Sequence, residues 1–218
     1  MVWNPNFAYA IGLLVADGNL SKDNRHIDLT SKDLSQIVTF ASILSLNNKI
    51  GRKRVKGYDN NLYYRIQFGN KTFYDFLVKI GLSPRKSTTI GEIKVPNKYF
   101  ADYLRGYFDG DGCTYSYFDP RWKNSFLLYM SFTSGSAKYL VWLNNSIYKK
   151  YHILGRINHL AKTGYQLRFG KKSTLILISK MYYKEGLPCL SRKYSKIVQS
   201  LGIIQTQAGV SKLVYEHA

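Results

Sequence analysis

The apolar positions of the chain follow two spacings, and the same order of spacings occurs twice. Ile11, Leu14 and Val15 form a stripe at helical spacing, whereas residues 63–69 alternate with the period of two that is typical of a strand. Each half is predicted to run helix, strand, strand, helix, strand, strand, helix. The predicted helices are 8–17, 32–46, 71–80, 104–111, 137–151 and 172–183, and the predicted strands are 19–25, 26–31, 50–56, 63–69, 113–118, 126–133, 156–159 and 165–169.

The first helix of each half carries the same phrase, residues 10–18 and again residues 104–112. Each copy has small residues four apart, which let two helix backbones approach closely, and each ends in an acid, Asp17 or Asp111, followed by glycine. Further echoes occur in the same order: 27–31 with 130–134, 50–52 with 154–156, 64–71 with 165–172, and 84–87 with 191–194. Echoes in register indicate internal duplication. We expect the two carboxylates to meet on a pseudo-twofold axis, an arrangement that suits a divalent metal.

The duplication predicts an α+β fold of two pseudo-symmetric α-β-β-α-β-β-α units. Each unit is expected to hold a saddle-like antiparallel sheet, and the two units to pack through the duplicated helices. Residues 1–80 form the predicted amino-terminal repeat and residues 99–204 the carboxyl-terminal repeat. Residues 81–98, rich in Lys, Ser and Thr, are the predicted linker, and residues 205–218 are interpreted as a peripheral tail.

Composition points to a polyanionic partner. Of the 218 residues, 32 are Lys or Arg and 13 are Asp or Glu, which gives a net charge of +19, and 19 tyrosines are interleaved with the basic residues. No apolar run approaches the roughly 20 residues that cross a bilayer, so no membrane partner is expected. The amino terminus lacks a secretory pattern, which favours an intracellular protein of organelle or bacterial origin. Cys113, Cys189 and the four histidines show no metal-ligand spacing, so a zinc site is not expected.

The strands offer a nucleic-acid interface. Their polar positions are almost wholly basic or neutral, whereas a merely solvated sheet face would normally mix both signs of charge. A two-stranded ribbon fits the major groove, where Arg and Lys address guanine and Asn and Gln address adenine. The candidate DNA-binding residues are Asn19, Ser21, Arg25, His26, Asp28, Arg52, Arg54, Lys56, Tyr63, Arg65, Gln67, Tyr115, Tyr117, Tyr129, Ser131, Arg156, Asn158, Gln166 and Arg168.

The target is expected to be long and asymmetric. A strand of about ten residues covers about 33 Å, or roughly one turn of duplex, so two sheets would read roughly 20 base pairs. The candidate residues differ between the halves, so only traces of a palindrome are expected.

The duplicated phrase, the repeated units and the basic strands together resemble the LAGLIDADG homing endonucleases in their single-chain, two-repeat, monomeric form. The resemblance covers roughly residues 7–201. The second copy of the phrase is close to the family pattern, and the first departs from it at Val15, where the family often has an acid.

The resemblance implies the site residues. Asp17 and Asp111 would be the catalytic acids and would hold Mg²⁺, with the carbonyls of Ala16 and Gly110 completing the coordination. Ca²⁺ is expected to support binding without cleavage, and Mn²⁺ to substitute for Mg²⁺. Lys86 and Lys193 match the region of an active-site lysine, with phosphate contact or a solvated surface as the alternative role. Ser31 and Ser134 are the expected polar groups that position water.

The resemblance implies a site-specific endonuclease that makes a double-strand break in DNA. Two alternatives stay open on the same fold: an RNA maturase acting on its own intron RNA, and a catalytically silent DNA-binding regulator. The intact acids favour cleavage, because paired carboxylates in a surface that only binds a polyanion would repel the ligand.

Overall fold

The computed structural model describes residues 1–54, 62–122, 125–160 and 164–215. The first repeat contains α1 (Pro5–Asp17), β1 (Gly18–Leu20), β2 (His26–Ser31), α2 (Leu34–Ile43), β3 (Gly51–Arg54), β4 (Leu62–Gly69) and α3 (Lys71–Ile80). The second repeat, which follows a 3₁₀ turn at Asn97–Tyr99, contains α4 (Phe100–Asp111), β5 (Gly112–Phe118), β6 (Phe126–Ser134), α5 (Ala137–Tyr151), β7 (Arg156–Leu160), β8 (Gly164–Phe169) and α6 (Lys171–Met181), and α7 (Ser191–Tyr215) follows it. The predicted α+β fold of two repeated units is confirmed.

Each repeat forms a four-stranded antiparallel sheet with the same topology. The strand orders are β1-β2-β4-β3 and β5-β6-β8-β7. The apolar face of each sheet packs against the helices and contributes Ile66, Phe68, Phe132 and Leu167 to the core. The opposite face carries most of the polar strand positions, so both sheets present the kind of face that the sequence predicts for a nucleic-acid interface.

The helices α1 and α4 are packed against each other more closely than any side chain would allow. A Cβ added to Gly106 would lie 2.0 Å from the Tyr9 carbonyl oxygen, and one added to Gly12 would lie 2.2 Å from the Tyr103 carbonyl oxygen. Real Cβ contacts essentially never fall below 3.0 Å. The small residues in the two copies of the phrase therefore set how near the two repeats approach, as expected from their spacing.

The sequence pattern and the structure differ in the first strand and again after the last predicted helix. Strand β1 ends at Leu20, because the chain turns through residues 21–25, where Asn24 has a φ of 57°. Ser21 and Arg25 therefore lie in the turn instead of a strand. Helix α7 was not predicted, and it runs without a break through the expected boundary between residues 204 and 205. Over residues 191–207, the buried residues of α7 are Lys193, Ile197 and Ser200, two of which are polar, so the apolar periodicity of this stretch is weak.

Within the described ranges, none of the helices combines the length and the apolar character that crossing a membrane requires.

Candidate active site and nucleic-acid interface

The last residues of α1 and α4 are Asp17 and Asp111, and the close helix packing brings these two acids together. A Cβ on Gly110 would lie 3.0 Å from the Asp17 Oδ2 atom, so the Asp17 carboxylate sits against the last turn of α4. Among the described residues, no donor makes a hydrogen bond to either carboxylate. The site thus contains two adjacent acids whose oxygens are available to a ligand.

The electrostatics of the acid pair are dominated by burial and mutual repulsion. Burial, and then the negative charge of Asp111, raise the pKa of Asp17 to about 7. Burial also raises the pKa of Asp111, while Lys86 and Lys193 act in the opposite direction. Burial disfavours the charged form of a carboxyl group, and a like charge does the same. A cation between the two acids would relieve both effects.

The donor set fits a hard divalent cation. Two carboxylates with carbonyls nearby supply only oxygen, which is what Mg²⁺ and Ca²⁺ prefer. No group of three or more His, Cys, Asp or Glu side chains that could hold a metal occurs in the described part of the chain. A cation held here by Asp17 and Asp111 would therefore keep other positions for water or phosphate oxygens, as Mg²⁺ usually does.

Two buried lysines flank the acids, and they bond the backbone at the helix ends. The Lys86 ammonium donates to the Ala16 carbonyl at 3.0 Å. The Lys193 ammonium donates to the carbonyls of Phe108 at 2.7 Å, Gly110 at 2.9 Å and Gly112 at 2.6 Å. Burial lowers the pKa of both lysines.

The carbonyls expected as metal ligands, those of Ala16 and Gly110, thus each accept a lysine hydrogen bond. A carbonyl oxygen has two lone pairs, so one remains at each position. Their role as metal ligands stays a prediction.

The two serines expected near the acids differ. Ser31 is buried, donates to the Gln36 side-chain oxygen and accepts from the Asp33 amide, so its hydroxyl is used at the start of α2. Ser134 likewise accepts from the Ser136 amide at 3.1 Å, but it lines a cavity of about 210 Å³ together with Asp111 and Lys86. Contact of Ser134 with a water beside the acid pair stays a prediction.

Three residues around the acids were not found from the sequence. The Tyr107 hydroxyl donates to the Thr133 carbonyl at 2.6 Å, and the Thr133 hydroxyl donates to the Asp111 carbonyl at 2.9 Å. Asp109 stands at the position of Val15 in the other repeat, and it accepts from the Tyr9 hydroxyl at 2.7 Å and the Leu190 amide at 2.8 Å. Asp109 and Tyr107 belong to the duplicated phrase and Thr133 belongs to the echo 130–134, so a comparison of the two copies is the signal that could have singled them out.

The open face of the second sheet holds a stacked cluster of tyrosines and arginine. The Arg168 guanidinium lies 3.9 Å from the Tyr129 ring centroid and 5.5 Å from that of Tyr115. The Tyr115 and Tyr129 rings stack at 5.1 Å, and Tyr117 stacks on Tyr129 at 6.3 Å. Cation–π contacts of this kind hold the guanidinium in place before any ligand arrives.

The neighbouring candidates on this sheet are placed by the strand register. Arg156 pairs with Arg168 and Asn158 with Gln166, so these four share one face, as the alternation predicted. Ser131 is only 1% exposed and lies beneath its neighbours, so it does not reach the surface of that face.

In the first sheet, Asp28 organises the open face. Its carboxylate accepts from the Arg65 guanidinium and from the Asn19 amide nitrogen, each at 3.0 Å. Asp28 is 5% exposed, which makes it a residue that positions Arg65 and Asn19. Gln67 is exposed beside them, and the Lys32 ammonium lies 5.4 Å from the Tyr63 ring centroid.

Arg52, a candidate DNA-binding residue, does not share the open face of the sheet with Arg65. Arg65 pairs with Gly51, and Arg52 pairs with Tyr64, whose neighbours in alternation, Ile66 and Phe68, face the core. Cross-strand partners point to the same side of a sheet, so Arg52 lies on the other face, at its exposed edge.

The remaining candidates of this repeat are placed as follows. The backbone of Arg54 pairs with Leu62 at the same edge. Lys56 lies outside the described residues. The His26 ring contacts the exposed Asp23 carboxylate at 2.5 Å, which ties His26 to the turn.

Comparison with known proteins bears on both repeats. Residues 4–81 match the family model described as a LAGLIDADG-like domain. A comparison with curated protein sequences found no match.

Solved structures extend the LAGLIDADG fold to the whole chain. I-SmaMI, solved bound to an uncleaved DNA target in the presence of calcium ions, is 14% identical with a TM-score of 0.63, over 95% of this chain and 93% of that one. The LAGLIDADG homing endonuclease I-LtrWI, bound to target DNA, is 14% identical with a TM-score of 0.60, over 97% of each chain. Full-length DUF199/WhiA from Thermatoga maritima is 16% identical with a TM-score of 0.52, over 95% of this chain and 68% of that one. The whole chain therefore has the two-repeat LAGLIDADG fold.

Proposed function

We propose that this protein is a site-specific DNA endonuclease that makes a double-strand break by divalent-metal-dependent hydrolysis of a phosphodiester in each strand. The observation that carries the proposal is the pair of partly buried acids, Asp17 and Asp111, at the point where two duplicated helices meet. A scaffold that only binds DNA has no use for two desolvated carboxylates in a strongly basic protein, because they repel the ligand.

The chemistry assigned to the acids follows from their environment. Bound between Asp17 and Asp111, Mg²⁺ would supply an activated water and neutralise charge on the phosphate oxygens. The acids would hold the cation, and the Lys86 ammonium, 3.0 Å from the Ala16 carbonyl, adds a fixed positive charge beside them. Ser134, in the adjoining cavity, offers a hydroxyl that can orient a water.

Sequence preference is assigned to the open faces of the two sheets. Arg65, held by Asp28, and Arg168, held by Tyr115 and Tyr129, are fixed guanidinium groups of the kind that read guanine edges. The two faces carry different side chains, which supports an asymmetric target of roughly 20 base pairs. The DNA complexes of structural neighbours, I-LtrWI and I-SmaMI, support the same partner.

The test is selection from a randomised duplex library, with the purified protein in Mg²⁺ and separately in Ca²⁺, followed by sequencing of the cut ends. One long asymmetric site, cut on both strands in Mg²⁺ and bound uncut in Ca²⁺, is the expected result. Enrichment of one bound sequence without cutting in any divalent metal would overturn the endonuclease and assign a DNA-binding regulator. If the library shows neither cutting nor enrichment, both the endonuclease and the DNA-binding regulator are overturned.

A further inference from the structure

A second basic concavity lies at the opposite end of the helix pair from the acids. It has a volume of about 1360 Å³, and its lining includes Trp3, just before α1, and Phe100, the first residue of α4. The acids end the same two helices, and a helix of this length spans about 18 Å. The concavity is therefore separate from the candidate active site and from the open faces of the sheets.

The lining combines positive charge with aromatic rings. Among the described residues that line it, the only acid is Glu92, and the lysines are Lys79, Lys94, Lys138, Lys149 and Lys150. Trp3 and Trp142 are both partly exposed, and each packs against other rings: Trp3 lies 5.4 Å from Phe7, and Trp142 lies 5.5 Å from Tyr139. These contacts restrict the orientation of each indole.

We propose that this concavity, which we call the tryptophan groove, binds single-stranded RNA. Lysines with rigid aromatic rings are the combination that holds single strands, because the phosphates meet the cations and the unpaired bases stack on the rings. The volume exceeds the roughly 300–1,000 Å³ of small-molecule pockets, which favours an extended ligand. A duplex keeps its bases stacked inside and offers none to the tryptophans. Asn97, Asn145 and Ser146, also in the lining, supply polar groups for the 2′-hydroxyls that distinguish RNA from DNA.

The experiment uses the full chain carrying Trp122→Phe. The chain has three tryptophans, and Trp122 is 69% exposed and outside the groove, so the remaining fluorescence comes from Trp3 and Trp142. The probe is an oligouridine of about 15 nucleotides, within the range of single-strand site sizes. Excess unlabelled duplex occupies the sheet faces, and a chelator prevents cleavage.

RNA is expected to quench the tryptophan fluorescence as it binds. In the double variant Lys138→Gln/Lys149→Gln, we expect roughly tenfold weaker binding and a salt slope smaller by about 1.4, since two phosphate contacts are lost. The matched control is Lys172→Gln/Lys180→Gln, which removes two exposed lysines from α6 and should leave binding unchanged. Cleavage of duplex DNA should be the same in all these variants, so the result is independent of the proposed endonuclease.

Three outcomes would overturn the proposal. In the first, the RNA binds without quenching, which places it away from the tryptophans. In the second, oligothymidine binds more tightly than oligouridine, which assigns the groove to DNA. In the third, a polyglutamate peptide quenches the fluorescence as strongly as the RNA, which assigns the groove to an acidic protein segment.

Discussion

Lys86 and Lys193 occupy equivalent places in the two repeats but make different hydrogen bonds. Within the described chain, Lys86 donates to one carbonyl, that of Ala16, and Lys193 donates to three. An ammonium group has three donors. Lys193 therefore uses all three in hydrogen bonds at the end of α4, whereas Lys86 has donors that can bind a ligand. The duplicated lysines have therefore diverged, one toward holding the fold and one toward the site.

This difference predicts that the same substitution affects cleavage at Lys86 and stability at Lys193. Lys86→Met should slow single-turnover cleavage by about 10²-fold, because a fixed cation is lost beside the phosphate. Lys193→Met should lower the unfolding free energy by about 2 kcal/mol more than Lys86→Met, because three buried carbonyls lose their donor. Urea unfolding measures the second effect. Equal destabilisation by the two variants would contradict the division of roles.

The acids are predicted to be needed for cleavage and unnecessary for binding. Asp17→Asn and Asp111→Asn should each abolish double-strand cleavage while DNA affinity stays the same or increases, because a negative charge is removed from a basic surface. Cleavage assays and fluorescence anisotropy give the two readouts. Asp75→Asn is the control, since Asp75 is an exposed acid paired with Lys71. Normal cleavage by Asp111→Asn would refute the site.

The raised pKa of Asp17 predicts a stability that depends on pH. The ordinary pKa is 3.8 and the folded value is about 7, so the folded state binds the proton more tightly than the unfolded state. In chelator, the wild-type protein should therefore lose stability as the pH rises from about 4 to about 7. In urea unfolding, the free energy of unfolding of Asp17→Asn should equal that of the wild type near pH 4 and exceed it above pH 7. Added Mg²⁺ should stabilise the wild type at pH 8 and not the variant; an identical pH profile for the two proteins would be the contrary result.

The crossing of α1 and α4 predicts that one methyl group is not tolerated. Gly106→Ala would place a Cβ 2.0 Å from the Tyr9 carbonyl oxygen and should destabilise the protein by several kcal/mol, since backbone must move. Gly202→Ala is the matched control: it lies in α7 with no atom within 4 Å of the added Cβ, and it should stabilise by about 0.5–1 kcal/mol. Thermal unfolding compares them, and similar melting temperatures would contradict the packing.

The two fixed arginines predict changes in preference that are local to each half-site. Arg65→Ala and Arg168→Ala should each relax preference at one base pair, by about 1–3 kcal/mol, and at opposite ends of the target. Asp28→Ala should relax the same position as Arg65→Ala, because it releases that guanidinium. Profiling cleavage over single-substituted targets measures this, with Lys172→Ala as control. A uniform loss across all positions would instead indicate phosphate contacts.

Local signals in the sequence determined much of the fold. The predicted bounds 71–80 and 137–151 are those of α3 and α5, because Asn70 and Ser136 cap these helices with their side chains and the apolar spacing is regular. The duplicated phrase likewise predicted the meeting of α1 and α4, since close packing requires small residues at fixed spacing.

What the sequence could not predict depends on choices that its pattern leaves open. Residues 52–54 are all basic, so alternation could not decide which face of β3 carries Arg52, and the register with β4 decides it instead. The number of carbonyls around Lys193 depends on how α7 docks, and α7 is not predicted because its apolar periodicity is weak. The sequence therefore does not predict geometry that is set by contacts between distant segments.

The close contact between Gly12 and Gly106 also fixes a distance in the active site. Because the backbones of α1 and α4 touch at Gly12 and Gly106, the distance between the two acids is set by main-chain contact and cannot drift as surface side chains are replaced. In the proposed enzyme, this fixes the offset between the cuts in the two strands. The sheets can then acquire new target preferences in evolution while the overhang left at the break keeps the same length.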